Sequence, residues 1–156
     1  NSNMRRNILG NTGTPSSPPA NTLLAALPSD LRAVMKSVTK YTDNTGNASN
    51  VAGNVTATTD YLWLFAEFEV FGTRYIANEY EKNSQAQYAY FSAGNSRVAY
   101  RHSSTGTAVW WWLRSADYSD SNHFCNVNTD GTYGNGGASW SAGVVAGFCD
   151  MRGQME

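Results

Sequence analysis

Few residues in this chain are spaced to do chemistry. Glu67 and Glu69 stand two apart in YLWLFAEFEVF, which puts both carboxylates on one face of a strand. Such a pair could serve as the acid and base of a glycosidase. No partner constellation appears elsewhere, so a solvated or salt-bridged strand face is the better reading. His123 and Cys125 have the same spacing, which allows a thiol–imidazole contact, with catalysis there the minor reading. Asp117, Asp120 and Asp130, joined by Asn carbonyls, are hard oxygen donors of the kind calcium takes. Their spacing does not match an EF-hand loop, so calcium stays a minor alternative and no other cofactor is expected. No GxxxxGK[ST] or GxGxxG phosphate loop, HExxH, CxxC or GxSxG elbow is present. The chain reads as a non-enzyme.

The totals agree with a binding or structural role. The 156 residues are 41 % hydrophobic, enough for one domain with a core. Charged residues are only 15 % and the net charge is −1, so no basic stripe exists to neutralise nucleic-acid phosphates. No apolar run approaches the ~18–20 residues that span a bilayer, so membrane insertion is not expected. The chain starts at Asn1 with no visible signal peptide and reads as a fragment or processed product. Aromatics at 13 % and the 14 glycines favour strands and loops over a helical bundle. Cys125 and Cys149 each follow a Phe; a disulfide and two buried free thiols both remain open, as does the redox compartment.

Several elements must position these groups. Residues 1–10 suit a short helix ending at Gly10, and Pro15, Pro18 and Pro19 make 11–22 a linker. Leu27, Leu31, Val34, Val38 and Tyr41 recur at helical spacing and predict a helix over 23–42, with Pro28, Ser29 and Asp30 suited to its start and Lys36 and Lys40 to its end. Residues 43–60 read as a polar loop, whose Asn47 and Asn54 glycosylation patterns carry little weight. Residues 61–71 read as the strongest strand, ended by Gly72. Residues 73–91 suit helix or irregular structure; 95–109 read as loop, a short strand at 98–100 and a turn at Gly106.

The most telling stretch is 110–149. Two apolar blocks, Trp110–Leu113 and Val144–Cys149, enclose about thirty residues rich in Ser, Asn, Asp, Gly and Thr. Large side chains dot that middle, the alphabet of antibody binding loops. Trp111 and Leu113 fall on one strand face and Trp110 and Trp112 on the other, so these tryptophans read as core. Alternation from His123 sets Cys125 and Val127 against Phe124, Asn126 and Asn128, so Phe124 and Val127 cannot both be core without a bulge. The candidate ligand-binding residues are Asp117, Tyr118, Asp120, Asn122, His123, Asn126, Asn128, Thr132, Tyr133, Asn135 and Trp140. They lie within a working surface of 116–123, 126–128 and 132–140.

WWLRS at 111–115, FCNV at 124–127, Asp130-Gly131 and GVVAGF at 143–148 resemble a bacterial and phage domain family of unknown function, DUF6273. LPSDLRAVMKSVTKYTDN, EFEVFG and QAQYAYF also fit, so the resemblance covers most of the chain. Ala146 departs from the family's Pro, and the family's usual first strand does not precede the SNMR segment. The resemblance implies a single α+β domain over 1–156, cut from a longer chain or lacking that strand, with a C-type lectin-like fold: small twisted antiparallel sheets, one or two helices and long irregular loops. It also implies similarity to the variable proteins of diversity-generating retroelements, whose C-terminal stretch is rewritten at Asn codons to form a hypervariable ligand-binding face. The role implied is receptor binding of the adhesin type, at a phage tail or a bacterial cell surface. The partner would be a protein or glycan receptor on a target cell, with any homo-oligomer formed through a larger parent assembly. Adenine mutagenesis of AAC codons cannot produce Lys, Glu, Gln, Met or Trp, and residues 115–139 contain none of the five; Trp140 breaks the pattern. A formylglycine-generating-type enzyme, which would need a redox-active cysteine pair or a metal, and a structural module of a surface or tail assembly are the alternatives.

Overall fold

The computed structural model describes residues 2–151. The fold is α+β, with short helices and several small antiparallel sheets. In chain order, a π-type turn over Met4–Ile8 precedes helices α1 (Leu23–Ala26) and α2 (Ser29–Val34). Strands β1 (Met35–Lys36) and β2 (Val38–Asp43) follow, then a 3-10 turn over Ala52–Asn54, β3 (Val55–Asp60) and β4 (Trp63–Leu64). Helix α3 (Glu67–Phe71), a 3-10 turn over Glu79–Asn83 and α4 (Ala89–Ser92) lead to β5 (Ala99–Arg101) and β6 (Ser104–Val109). The chain closes with β7 (Trp111–Ala116), β8 (His123–Val127), β9 (Tyr133–Gly137), β10 (Ala146–Gly147) and β11 (Cys149–Asp150). The sheets run β1–β11, β4–β10, β2–β3, β5–β6 and β7–β8–β9.

The contacts group the chain into two compact units. Among the described residues, the first holds 2–40, 58–63 and 146–151. Its core is Leu9, Leu24, Met35, Leu62 and Trp63. Gly10 takes φ +92°, so the first turn does end there, and a Cβ on it would meet the Thr22 hydroxyl. The segment expected to be a linker is ordered: the Asn11 amide donates to the Leu62 carbonyl and accepts from the Tyr61 and Leu62 N–H groups.

The expected helix over 23–42 is wrong beyond Val34. Pro28 holds Leu27 extended, which splits the helical part in two, and α2 starts at Ser29. The chain is extended from Met35, which pairs with Asp150 near the chain's other end. Val38, Thr39 and Thr42 supply the β-branched content that favours strand there. The polar loop expected over 43–60 likewise yields a strand at Val55–Asp60, again rich in Val and Thr.

The second unit holds residues 41–57 and 64–145. The expected strand over 61–71 is corrected here: only Trp63–Leu64 is strand, and Glu67–Phe71 is helix. Side chains placed by the tertiary fold decide this. The Ser115 hydroxyl accepts the Glu67 N–H, and the Glu69 carboxylate folds back onto the Ala66 N–H, so two orphan donors of the first turn are satisfied. Gly72 stops the helix in the left-handed conformation at φ +71°. Residues 73–91 are mostly irregular. β5 and β6 form a hairpin turning at 102–103, and Gly106 lies inside β6 rather than in a turn as expected.

The three-stranded sheet β7–β8–β9 carries the main core. Trp111, Leu113, Cys125 and Val127 bury one face against Val70, Ala77 and Phe91. The register sets Trp111 opposite Val127 and Trp112 opposite Asn126. β8 pairs with β9 without interruption from His123 opposite Gly137 to Val127 opposite Tyr133. The irregularity lies in β7, between Trp112 and Ala116. Val127 is therefore core, while Phe124 is only half-buried on the other face.

Candidate functional site

The site rests on a base built by WWLRS. Trp111 anchors the strand by donating from its indole to the Arg97 carbonyl at 2.8 Å. Trp110 and Trp112, on the opposite face, meet edge to face at 4.8 Å. Arg114 and Ser115 then organise a buried polar network. Arg114 forks onto both oxygens of Glu69 and donates to the Thr42 hydroxyl and the Leu64 carbonyl. Ser115 donates to Glu81 at 2.6 Å. Glu81 also accepts the Asp43 N–H and the Gln85 amide. Burial still pushes the Glu81 carboxyl above its ordinary range, partly offset by Ser115, the Asp43 N–H, the Arg114 charge and Gln85.

Glu67 and Glu69 are both buried, on a helix rather than on a solvated strand face. The Glu67 carboxylate accepts the N–H groups of Tyr75, Ile76 and Ala77, between 2.8 and 3.1 Å. Both acids are therefore consumed in holding the fold. Unpaired buried charges are costly, and this donor set answers that cost. Asp43 is handled the same way: burial raises its pKa, but Asn78, the Thr45 hydroxyl and the N–H groups of Thr45 and Gly46 hold it below the ordinary value.

The sequence-derived binding residues divide by burial. Asp117 is buried, with its oxygens taken by Ser119 and by the Asn135 amide at 2.7 Å. Asn126 is buried on the outer face, beside Gly134 and Gly136, and its Oδ1 has no hydrogen-bond partner. Of the others, Asn135 lies mid-strand in β9, Tyr118 is held through its N–H by the Ile76 carbonyl, and the rest reach the surface in two patches toward the two ends of β9, about 13 Å apart at the usual strand rise. At the first, Tyr133 stacks flat on Tyr75, with centroids 3.9 Å apart and planes 9° apart. Tyr118 lies under the Arg74 guanidinium at 4.2 Å. Asn128 closes the adjoining turn by donating to the Thr132 hydroxyl and the Tyr133 carbonyl. In that turn Asp130 is held below its ordinary pKa by the Thr132 hydroxyl and then the Thr132 N–H.

At the second patch Trp140 is 60 % exposed, the most open large hydrophobic side chain among those described. Its ring meets Trp110 at 6.5 Å and His123 at 6.4 Å, both edge to face. The Asp120 Oδ2 lies 2.8 Å from His123 Nδ1, and its other oxygen accepts the Asn122 N–H. That N–H first, and His123 second, hold Asp120 below its ordinary pKa. The glycines of β9 make room for this face. A Cβ on Gly136 would sit 3.0 Å from the Trp112 ring, and one on Gly137 would sit 3.3 Å from the Trp140 indole nitrogen.

Tyr75, Arg74 and Arg97 were not among the sequence-derived residues. The signal for Arg74 and Tyr75 was the run TRY at 73–75, a cation flanking an aromatic just past a helix-stopping glycine. Among the described residues, no three of His, Cys, Asp and Glu come together to hold a metal, and Asp117, Asp120 and Asp130 each serve a separate turn. Both thiols are free. Cys125 is fully buried, and burial first, then the charges of Glu67, Glu81 and Asp117, push its thiol well above the ordinary range. It contributes to the apolar core beside Val127 and is not set up as a nucleophile. Among the described residues no helix is long and apolar enough to cross a membrane.

Fold and face together define a small α+β domain that holds an aromatic, polar surface over a buried tryptophan strand. The family model described as "Domain of unknown function (DUF6273)" matches residues 16–152, and the chain belongs to that family. No curated protein and no solved structure matches the chain.

Proposed function

We propose that this domain is a non-catalytic binding module that recognises a protein or glycan receptor on a target cell surface. The observation that carries the reading is the placement of Tyr133 and Trp140. Both are large, aromatic and about half or more exposed; Tyr133 opens β9, whose partner β8 is largely buried, and Trp140 stands in the bend just past β9. Leaving such rings in water forgoes the burial that elsewhere stabilises this fold. Rigid aromatic anchors ringed by Asn, Asp, Ser and Thr suit a contact surface. Asp120, Asn122, His123, Asn128 and Thr132 would supply its directional hydrogen bonds.

The finer reading is a C-type lectin-like domain of the kind found in the variable proteins of diversity-generating retroelements, carried on a phage tail or a bacterial cell surface. The absence of Lys, Glu, Gln, Met and Trp over 115–139 supports it. The exposed, turn-borne position of much of that stretch fits side chains that can change without loss of the core.

Two measurements test this. Labelled protein should bind a subset of bacterial cells, and Trp140→Ser or Tyr133→Ser should lose that binding while keeping the native melting profile. Undiminished binding by both variants would refute the assigned surface. In neighbouring DNA, a near-identical repeat that differs only at adenines and lies beside a reverse-transcriptase gene is the expected mark of diversification. Its absence would leave the surface a fixed one.

A further inference from the structure

The first patch carries charges that the fold itself does not neutralise. Arg74 and Arg97 are held in the same way. Each donates its Nε to a backbone carbonyl, Arg74 to Ala77 at 2.7 Å and Arg97 to Val70 at 3.3 Å. Each guanidinium lies over an aromatic ring, Arg74 over Tyr118 at 4.2 Å and Arg97 over Phe71 at 5.0 Å. Among the described residues, neither has a carboxylate within ion-pair distance. The Arg74 Nη2 is buried with no acceptor at all. This contrasts with Arg114, whose fork is filled by Glu69, and with Arg5, which pairs with Asp60.

The rings beside Arg97 form one run. Phe71 meets Tyr75 edge to face at 5.6 Å, and Tyr75 stacks on Tyr133. Tyr75 and Tyr133 are 42 % and 45 % exposed, so each buries one ring face on the other and stays partly open to solvent. The Arg97 guanidinium, fixed at Nε, has its Nη edge oriented before any ligand arrives, which lowers the entropy lost on binding. The chain carries a net charge of −1, so attraction of an anion here is local and not a property of the whole molecule.

We propose that Phe71, Tyr75, Arg97 and Tyr133 form a subsite for a carboxylate-bearing sugar, such as a uronic acid within a surface glycan. The proposal rests on the binding role given above and names the ligand class for one end of that surface. A pyranose ring lays its flat C–H face on an exposed tyrosine ring. Its carboxylate meets guanidinium N–H groups in charge-assisted bonds. Its hydroxyls reach the tyrosine O–H groups. An acidic peptide would use the charges but leave the ring stack unused.

The test is calorimetric titration of the full chain with three probes: trigalacturonate, its fully methyl-esterified form and a hexaglutamate peptide. Trigalacturonate should bind, and the neutral ester should bind about tenfold to a hundredfold more weakly, the loss expected for one or two charge-assisted hydrogen bonds. Arg97→Gln should lose a similar factor and Arg97→Lys less, whereas Arg74→Gln, which leaves Arg97 and the tyrosine stack in place, should change little. Raising the salt should weaken the acid and not the ester. Tyr133→Ala, at an exposed position, should lower affinity for acid and ester alike, with its melting curve confirming the fold. Equal binding of acid and ester, tighter binding of hexaglutamate, or no binding of trigalacturonate overturns the proposal. If cell binding still depends on Trp140 in those cases, only the acidic-sugar assignment falls. If the wild-type domain binds no cells at all, the broader role falls with it.

Discussion

Replacing Arg114 by leucine removes the centre of the buried network. The guanidinium makes bonds of 2.9 Å or shorter to Thr42, to Leu64 and to both oxygens of Glu69. The Glu69 side chain is 5 % exposed, so its carboxylate would be left charged and almost dry. Breaking a buried pair on one side costs about 3–5 kcal/mol. The stranded Leu64 carbonyl adds about 1 kcal/mol or more. A small domain has about 5–15 kcal/mol in total, so the single variant should be close to unfolding. Removing both charges in Glu69→Leu/Arg114→Leu should restore a large part of the loss, because no charge is then left alone. The Ala66 N–H still loses its partner, so recovery stays incomplete. Urea unfolding followed by tryptophan fluorescence, arranged as a double-mutant cycle, should give a coupling of at least about 2 kcal/mol. A loss below about 1 kcal/mol for Arg114→Leu, or a double variant as unstable as the sum of the singles, would refute the reasoning.

Glu81 sets a pH dependence of defined sign. Its folded-state pKa is raised by burial, so between the unfolded value of about 4.5 and the folded one the native state holds the proton more tightly. Its contribution to stability is therefore full below that window and is lost as pH rises through it. The melting temperature of wild type relative to Glu81→Gln should fall as pH rises from about 4.5, and a rising difference would contradict the assignment. Gly136→Val should cost about 1–3 kcal/mol and change the near-ultraviolet tryptophan signal, since its Cβ would press on Trp112 and Trp110. Gly53→Val, at a position with nothing within 4 Å of the added Cβ, is the matched control and should cost far less. A thiol reagent should label half-buried Cys149 in the native protein and reach buried Cys125 only in urea. Equal native rates at both would show that β8 is not packed as described.

Strands β7 and β8 were legible in the sequence because their signals are local, whereas the Gly-rich β9 read as turn-rich surface. A four-residue apolar block, strict alternation from His123 to Val127 and a turn at Asp130-Gly131, where Gly131 takes φ +85°, all sit within one stretch. The two largest errors share a physical cause. Residues 61–71 read as strand by composition, yet α3 depends on the Ser115 hydroxyl, which arrives from a segment 48 residues away. Residues 35–42 continue a helical spacing, yet Met35 pairs with Asp150 near the other end of the chain. Neither partner can be found from a local window. The site was half legible for the same reason. Tyr133 and Trp140 announce themselves as large side chains in turn-rich sequence. The cations Arg74 and Arg97 join Tyr118 and Phe71 only through the tertiary fold.

Burial within 116–140 also constrains what a diversified surface could be. Asp117, Cys125, Asn126, Val127 and Gly136 lie in that span and are buried. Asp117 pairs with Ala77 across a β-bridge and holds Asn135, and Val127 packs on Trp111's face of the sheet. Replacing either would expose unpaired backbone or open a cavity, at a cost of about 1–4 kcal/mol. Ser119, Ser121, Asn122, Thr132, Tyr133, Ser139 and Trp140 are exposed and carry no such burden. A library randomised at those seven exposed positions should keep a large folded fraction by protease resistance. One randomised at Asp117, Cys125, Asn126, Val127 and Gly136 should lose most of it. Similar survival of the two libraries would mean that the tryptophan strand does not brace this surface. Clear separation would mean that rewriting, where it occurs, is confined to side chains the core does not use, which is the condition for one scaffold to present many ligand-binding faces.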